Sequence, residues 1–244
     1  MKITFFGTSH GHPSKTRNSS SVLLTVGEEL YLVDVGAPAT ELFFQKELSF
    51  QALKGVFMTH CHSDHCAGAL FLLSTVGSHV FSTCDTEFYF PDERFTNLFE
   101  EFRRIESGKT EFNVSCHTYQ TGTFFDNGRV RVTAYPNRHL ESIHGKSNSF
   151  LVEAEGKAVL FTGDMHRELN DFPKVAAERH LDCIVTECAH FPIEALQEKI
   201  NQTDADRVIV THVYPDQKFP ALQTMKDAHG NPVAIANDFD EFII

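Results

Sequence analysis

The sequence predicts an α/β protein whose sheets are covered by helices. Short β-rich runs recur along the whole chain, and several are almost continuously apolar, such as Cys183-Ile184-Val185 and Val208-Ile209-Val210. Strands covered on both faces read in this way. Helical candidates alternate with those runs. Hairpin signals at Gly27-Glu28, Asn127-Gly128 and Glu155-Gly156 join strand pairs in both halves.

Taken in order, the expected strands are 2–6, 20–26 and 29–35, followed by a helix over 38–48. A strand at 55–59 leads into a helix at 65–76. The segment from about 84 to 118 is rich in Phe and charge, with a helix over 92–107 carrying Phe95, Leu98, Phe99, Phe102 and Ile105. That spacing makes an amphipathic helix packed on the body. It also suits a cap that walls a substrate site, and an exposed apolar face there would support a homodimer. Strands at 129–135, 148–154 and 157–162 follow, then a helix at 171–180. The last expected elements are strand 181–186, helix 192–200, strand 206–211 and helix 216–228. No low-complexity linker or short repeat divides the chain, so residues 1–244 read as one domain.

At 244 residues, with 41% apolar and 22% charged side chains, the chain has an ordinary globular composition. Its 21 basic and 33 acidic residues give a net charge of −12. That disfavours broad attachment to a nucleic-acid backbone. The six cysteines, 61, 66, 84, 116, 183 and 188, form no CxxC pair and read as reduced thiols. The opening Met1-Lys2-Ile3-Thr4-Phe5-Phe6-Gly7 is strand-like rather than an apolar leader, and no run is long enough to span a membrane. The expectation is a cytoplasmic protein with no membrane partner.

The most informative stretch is His60-Cys61-His62-Ser63-Asp64-His65. It follows the apolar run Gly55 to Thr59, so His60 and His62, two apart on extended backbone, point the same way toward one metal. Asp64 and His65 fall where a helix begins, able to face a second metal nearby. Buried polar groups without partners are costly, and a purely structural role would need separate partners for all four. Imidazole and carboxylate donors in this number suit zinc, manganese or iron.

Further donors stand at strand ends. His139 follows the run Val130 to Tyr135, Asp164 ends Leu160-Phe161-Thr162-Gly163-Asp164, and His212 ends Val208-Ile209-Val210-Thr211-His212. Sites in open α/β sheets gather at strand carboxyl ends, so these positions converge.

In this order HCHSDH, His139, Asp164 and His212 resemble the HxHxDH motif and later ligands of the metallo-β-lactamase fold superfamily. Leu32-Val33-Asp34-Val35-Gly36 is similar to its Asp-containing strand turn. Phe6-Gly7-Thr8-Ser9-His10-Gly11-His12-Pro13-Ser14-Lys15-Thr16-Arg17-Asn18 looks most like the ribonuclease Z branch, whose outline cyclic-phosphate phosphodiesterases share. The resemblance covers nearly the whole chain. It implies a four-layer αββα sandwich with a dinuclear site, zinc being the first expectation for both ions. By motif order His60, His62 and His139 would hold one metal, Asp64, His65 and His212 the other, and Asp164 would bridge them. Asp34 would orient a ligand histidine.

The sequence departs from ribonuclease Z in several places. Ser63 stands where glycine is usual. The stretch between His139 and Asp164 is too short for that family's tRNA-gripping arm. Thr186 stands before Glu187 where histidine is usual, leaving His190 as the candidate late histidine. These departures direct the expectation away from nucleic acid and toward a small-molecule ester or phosphodiester.

The implied chemistry is hydrolysis by a metal-bridging hydroxide oriented by Asp64. His190 or His144 would protonate the leaving group, with Glu187 orienting the histidine. His10 and His12, in a Gly- and Pro-containing turn, read either as substrate contacts or as turn surface, and His166 as a residue behind the ligands. His79, His117, His180 and His229 read as structural or exposed. Lys15, Arg17 and Arg138 are candidate anion contacts, although isolated basic residues are usually solvated. Three functions compete: a small-molecule phosphodiesterase, a lactonase or thioesterase, and a non-hydrolytic iron redox or metal-bound regulatory protein.

Overall fold

The computed structural model describes residues 1–78, 84–107 and 114–244. Its first half supplies strands β1 (Lys2–Gly7), β2 (Ser21–Val26), β3 (Glu29–Val35), β4 (Leu53–Phe57), β5 (Glu87–Phe90) and β6 (Ser115–Thr118). Between them lie helices α1 (Ala39–Gln45), α2 (Ser63–Cys66), α3 (Ala69–Val76) and α4 (Glu93–Ser107). The second half has strands β7 (Gly122–Asp126), β8 (Val130–Asn137), β9 (Ser147–Ala154), β10 (Lys157–Phe161), β11 (Cys183–Cys188), β12 (Val208–Val213), β13 (Ala234–Ile235) and β14 (Glu241–Ile243). Its helices are α5 (Val175–Glu178), α6 (Ile193–Ile200) and α7 (Phe219–Leu222).

These strands form two seven-stranded sheets, in the orders β14-β1-β2-β3-β4-β5-β6 and β13-β12-β11-β10-β9-β8-β7. Alternation along each strand divides the apolar side chains between layers, because successive residues point to opposite faces. Val22, Leu24, Tyr31 and Val33 of the first sheet meet Val132, Phe150, Val152 and Val185 of the second in one shared core. Leu23 and Leu32 instead face outward onto Leu42, Leu72 and Phe99 of α1, α3 and α4. Leu151, Leu160 and Ile184 face outward onto Leu196 and Leu222 of α6 and α7. The layers are therefore helix, sheet, sheet, helix, the expected αββα sandwich.

The three hairpin signals hold, joining β2 to β3, β7 to β8 and β9 to β10. At the last turn both Glu155 (φ 54°) and Gly156 (φ 73°) are left-handed, the geometry a two-residue hairpin favours.

Other expectations need correction. The segment at 84–118 is not simply a helical cap. Its described part contains β5, α4 and β6, and the two strands pair in parallel at the edge of the first sheet. Four-residue strands such as Glu87-Phe88-Tyr89-Phe90 carry too little alternation to stand out beside a long amphipathic helix. α4 keeps an outward apolar face, with Leu98, Phe102 and Ile105 exposed. The helix expected at 65–76 is two helices interrupted at Gly68, whose N–H donates to Val35 O at 2.9 Å. A β-carbon on Gly68 would lie 2.8 Å from Gly36 O. Helix 171–180 shrinks to α5, with Pro173 just before it, and 216–228 shrinks to a 3-10 turn and α7, where Pro220 sits in the first turn. Strands β5, β6, β13 and β14 were not expected, and β7 was implied only as the partner across the Asn127-Gly128 turn.

Candidate metal centre

The carboxyl ends of β3, β4, β8, β10, β11 and β12 bring the site together. Asp34 lies within β3; His60 follows β4; His139 follows β8; Asp164 follows β10; Glu187 lies in β11 and His190 follows it; His212 lies in β12. Asp34 and His212 both have left-handed backbone, at φ 59° and 50°. Left-handed non-glycine residues are uncommon and gather at functional sites.

Donor atoms fall into two groups. One atom each from His60, His62, His139 and Asp164 lie within 4.8 Å of one another, as do atoms of Asp64, His65 and His212. Asp164 lies between the groups. Its Oδ2 is 3.8 Å from His60 Nε2, 3.7 Å from His139 Nε2 and 3.4 Å from His212 Nε2, while Oδ1 is 3.3 Å from His65 Nε2.

The rings are oriented from behind. Asp34 Oδ2 accepts from His65 Nδ1 at 2.7 Å, leaving Nε2 to face inward. Thr59 donates its N–H and its hydroxyl to Asp34. The Thr59 oxygen is then free to accept from His60 Nδ1 at 3.0 Å. Ser20 Oγ lies 3.2 Å from His212 Nδ1. Asp64 Oδ2 accepts the Gly11 N–H at 2.8 Å, which draws the opening loop onto the site.

The Nε2 atoms of His60, His65 and His212 are buried without a hydrogen-bond partner. Buried polar atoms nearly always have one. Three orphaned imidazole nitrogens converging on one carboxylate fit a divalent cation. Burial pushes the His60 imidazole well below the usual histidine range, toward the neutral form that ligates. Burial also works against charge on His65, but the Asp164 and Asp34 carboxylates outweigh it and hold that ring well above the range. For Asp164, burial is outweighed by His212 and His65, and its carboxyl falls well below the usual range. A cation would replace these mutual pairings.

His190 closes one side. Its Nδ1 lies 2.8 Å from Glu187 Oε1, and its Nε2 lies 3.8 Å from Asp164 Oδ2. Glu187 is buried and also accepts the N–H groups of Met165 and Ala189, so the carboxylate is fixed. Burial lowers the His190 pKa, but the Glu187 hydrogen bond outweighs it and the pKa is raised.

Among the other candidates, His10 joins the site. It stacks on Tyr214 at 4.9 Å and meets the edges of His212 and His190 at 5.0 and 5.3 Å. His12 is exposed, its N–H bonded to His10 O at 2.6 Å. His166 lines a cavity with His139, Met165 and His190. His144 is exposed on a left-handed turn, apart from the donor groups. Arg17 donates to Asn237 and lies over the Phe219 ring; Arg138 pairs with Glu141. Lys15 is exposed. His117 stacks on Tyr89, and His79 lies outside the described residues. Sequence reasoning missed Thr59, Ser20 and Tyr214. Only Thr59, adjacent to the histidine run, carried a local signal.

The family model described as Anti-Pycsar protein Apyc1 matches residues 1–218. The chain belongs to this family. It is 37% identical over 179 residues to Ribonuclease Z of Synechococcus sp. (strain CC9605), covering 70% of this chain and 54% of that protein. The chain spans about half the length of the curated relatives it matches. Among solved structures, the metallo-beta-lactamase fold protein YhfI from Bacillus subtilis superposes with a TM-score of 0.77 at 20% identity, covering 99% of this chain and 98% of that one. A diphosphatase from the PhnP family superposes with a TM-score of 0.74 at 14% identity, covering 100% and 97%. At these identities the superpositions establish the fold. This Apyc1-family chain therefore has the metallo-β-lactamase fold, of the ribonuclease Z-like branch that its motifs resemble.

No helix among the described residues is long and apolar enough to cross a membrane.

Proposed function

We propose that this chain is a divalent-metal-dependent hydrolase that cleaves a small-molecule phosphodiester, cyclic phosphates included. The observation that carries the reading is Asp164, set among the Nε2 atoms of His60, His65, His139 and His212 with His190 beside it. In this reading His60, His62 and His139 would hold one ion, Asp64, His65 and His212 the other, with Asp164 shared between them. Zinc, manganese and iron all accept such donors. A pair of divalent ions bound there would supply activated water and charge stabilisation on phosphoryl oxygens.

The chain's own groups do the rest. Asp64, fixed by Gly11 N–H, orients the attacking water. His190 presents Nε2 toward the reacting centre and delivers a proton to the departing alkoxide. Glu187 positions His190 and favours its protonated form. His10, stacked on Tyr214 and edge-on to His190 and His212, contacts the substrate.

Two observations favour a small substrate. Residues between His139 and Asp164 are taken up by a short turn and the β9–β10 hairpin, with no length for a gripping arm. The net charge of −12 also opposes polyanion binding. A groove beside His62, lined by Phe95, Leu98, Leu140 and Ile143, supports the second reading, a lactonase or thioesterase.

Metal-reconstituted protein should hydrolyse bis(p-nitrophenyl) phosphate, with turnover lost in Asp64→Ala and His139→Ala. No turnover with zinc or manganese, combined with cleavage of a lactone or thioester, would reject the phosphodiesterase reading.

A further inference from the structure

At the amino ends of β11 and β12, away from the centre described above, a second group of metal-ligand side chains is held together by backbone. Leu181 and Ala205 form an isolated parallel bridge. Leu181 N–H donates to Asp204 O at 2.8 Å, and Asp206 N–H donates to Leu181 O at 3.0 Å. Leu181 and Ala205 are buried. On extended backbone their neighbours must point the other way, so His180, Asp182, Asp204 and Asp206 emerge together on one outer face. Donor atoms of His180, Asp182 and Asp206 lie within 4.8 Å of one another.

The imidazole is oriented as a ligand would be. His180 Nδ1 lies 3.2 Å from Asp204 Oδ1, and a carboxylate can only accept there. The remaining nitrogen, Nε2, faces Asp206 Oδ2 at 3.5 Å. His65 is held by Asp34 in the same arrangement. His229 Nε2, 3.4 Å from the same Asp204 oxygen, buttresses that carboxylate from a separate loop, where its own N–H donates to Asp227.

Charge points the same way. Arg179 is directed to Glu153 and Arg207 to the Ile243 carbonyl, so the nearest guanidinium groups are engaged elsewhere. Among the described residues, neither Asp204 nor Asp206 pairs with lysine or arginine. Asp182 is the engaged member: Lys157 reaches its Oδ1 at 2.7 Å, and its Oδ2 accepts the Ala158 N–H at 2.8 Å. Lys157 is substantially exposed, and such surface pairs are worth about 0–1 kcal/mol, small beside metal coordination.

We propose that His180, Asp182 and Asp206 form a surface site for a divalent transition ion of the zinc class, with Asp204 orienting His180. One nitrogen and two carboxylates leave a fourth position for water. The six-residue β11 separates it from His190 by roughly 20 Å at ~3.3 Å per residue, so the ion serves as a clamp between two chain segments and not in hydrolysis.

The test is a zinc titration of the full chain by equilibrium dialysis with metal analysis, comparing wild type with His180→Gln and with His180→Ala/Asp206→Asn. His180→Gln retains a donor for Asp204 but removes the Nε2 ligand. Both variants should bind one zinc ion fewer per chain than wild type at the same free zinc, with hydrolytic activity unchanged. Lys157→Met, which leaves Asp182 Oδ1 without its cation partner, should hold zinc at this site at least as tightly as wild type. Equal zinc stoichiometry in wild type and both His180 variants, or loss of the ion in Lys157→Met, would overturn the proposal.

Discussion

Asp34 Oδ2 lies 2.7 Å from His65 Nδ1, and the same carboxylate takes the Thr59 hydroxyl that in turn accepts from His60. One side chain thus stands behind a histidine of each donor group. Its own left-handed backbone, at φ 59°, is what turns the carboxylate back from the end of β3 toward β4.

Asp34→Asn should therefore weaken both ion positions, since the amide's NH2 cannot accept from His65. Loss of a carboxylate behind a metal-bound histidine costs ~10–100-fold in affinity or activity. Competition with a chromogenic chelator reads this directly. Retention of two ions at wild-type affinity would show that Asp34 serves only the fold.

His190 should matter in proportion to how poor the leaving group is. General-acid help is worth ~10²–10⁴-fold for an alkoxide. p-Nitrophenolate departs without a proton. His190→Ala should thus slow alkyl or cyclic phosphodiesters by that factor while sparing bis(p-nitrophenyl) phosphate. Glu187→Gln should show the same selectivity in smaller degree. An equal loss on both kinds of substrate would remove His190 from proton delivery.

Stripping the metal should destabilise the protein. His60, His65 and His212 each present a buried, unpartnered Nε2. An ion that binds only the folded chain stabilises it by about 2.7 kcal/mol at a hundred times its Kd. Chelated protein should melt several degrees lower, and added zinc should restore the Tm in wild type but not in Asp164→Ala. A Tm insensitive to chelation would argue against buried ligation.

What the sequence made legible was whatever lies close together along the chain or at strand ends. The HCHSDH run declared two donor sets through local geometry alone, and His139, Asp164 and His212 each followed an apolar run whose end fixed their level in the sheet. Residues that act through tertiary contact were silent. Ser20 stands just before β2, 192 positions before His212, and nothing near it marks the ring it meets. Tyr214 reveals its role only through the His10 stack. His144 and His190 looked equivalent as proton donors until Glu187 was seen to hold one and not the other. The short edge strands β5 and β6 were masked by α4 between them, and Pro173 and Pro220 cut helices that apolar spacing had extended.

Gly36 should tolerate no side chain. A β-carbon there would lie 2.5 Å from Asp64 O and 2.5 Å from Ser19 Cβ, so the β3 turn and the ligand-bearing α2 approach through it. Gly36→Ala should cost ~1–3 kcal/mol by overpacking and, by shifting Asp64, weaken the second ion position as well. Urea unfolding and zinc affinity measured together test this; a stable variant with altered zinc affinity would still locate the contact, whereas no change in either would refute it.

The thiols should be inert in the folded chain. Burial pushes Cys183 and Cys116 up to about 12 and Cys188 up to about 11. The thiolate is the reactive form, so at pH 8 these residues should react with a disulfide reagent only on unfolding. The linkage has a definite sign. A neutral Cys183 contributes stability fully below its ordinary value of 9.0, and that contribution fades as pH rises toward about 12. The urea midpoint should consequently fall less steeply between pH 9 and 11 in Cys183→Ala than in wild type. Parallel slopes, or rapid labelling of Cys183 in the native state, would mean that the strand opens locally and that the shared core between the sheets is looser than its packing implies.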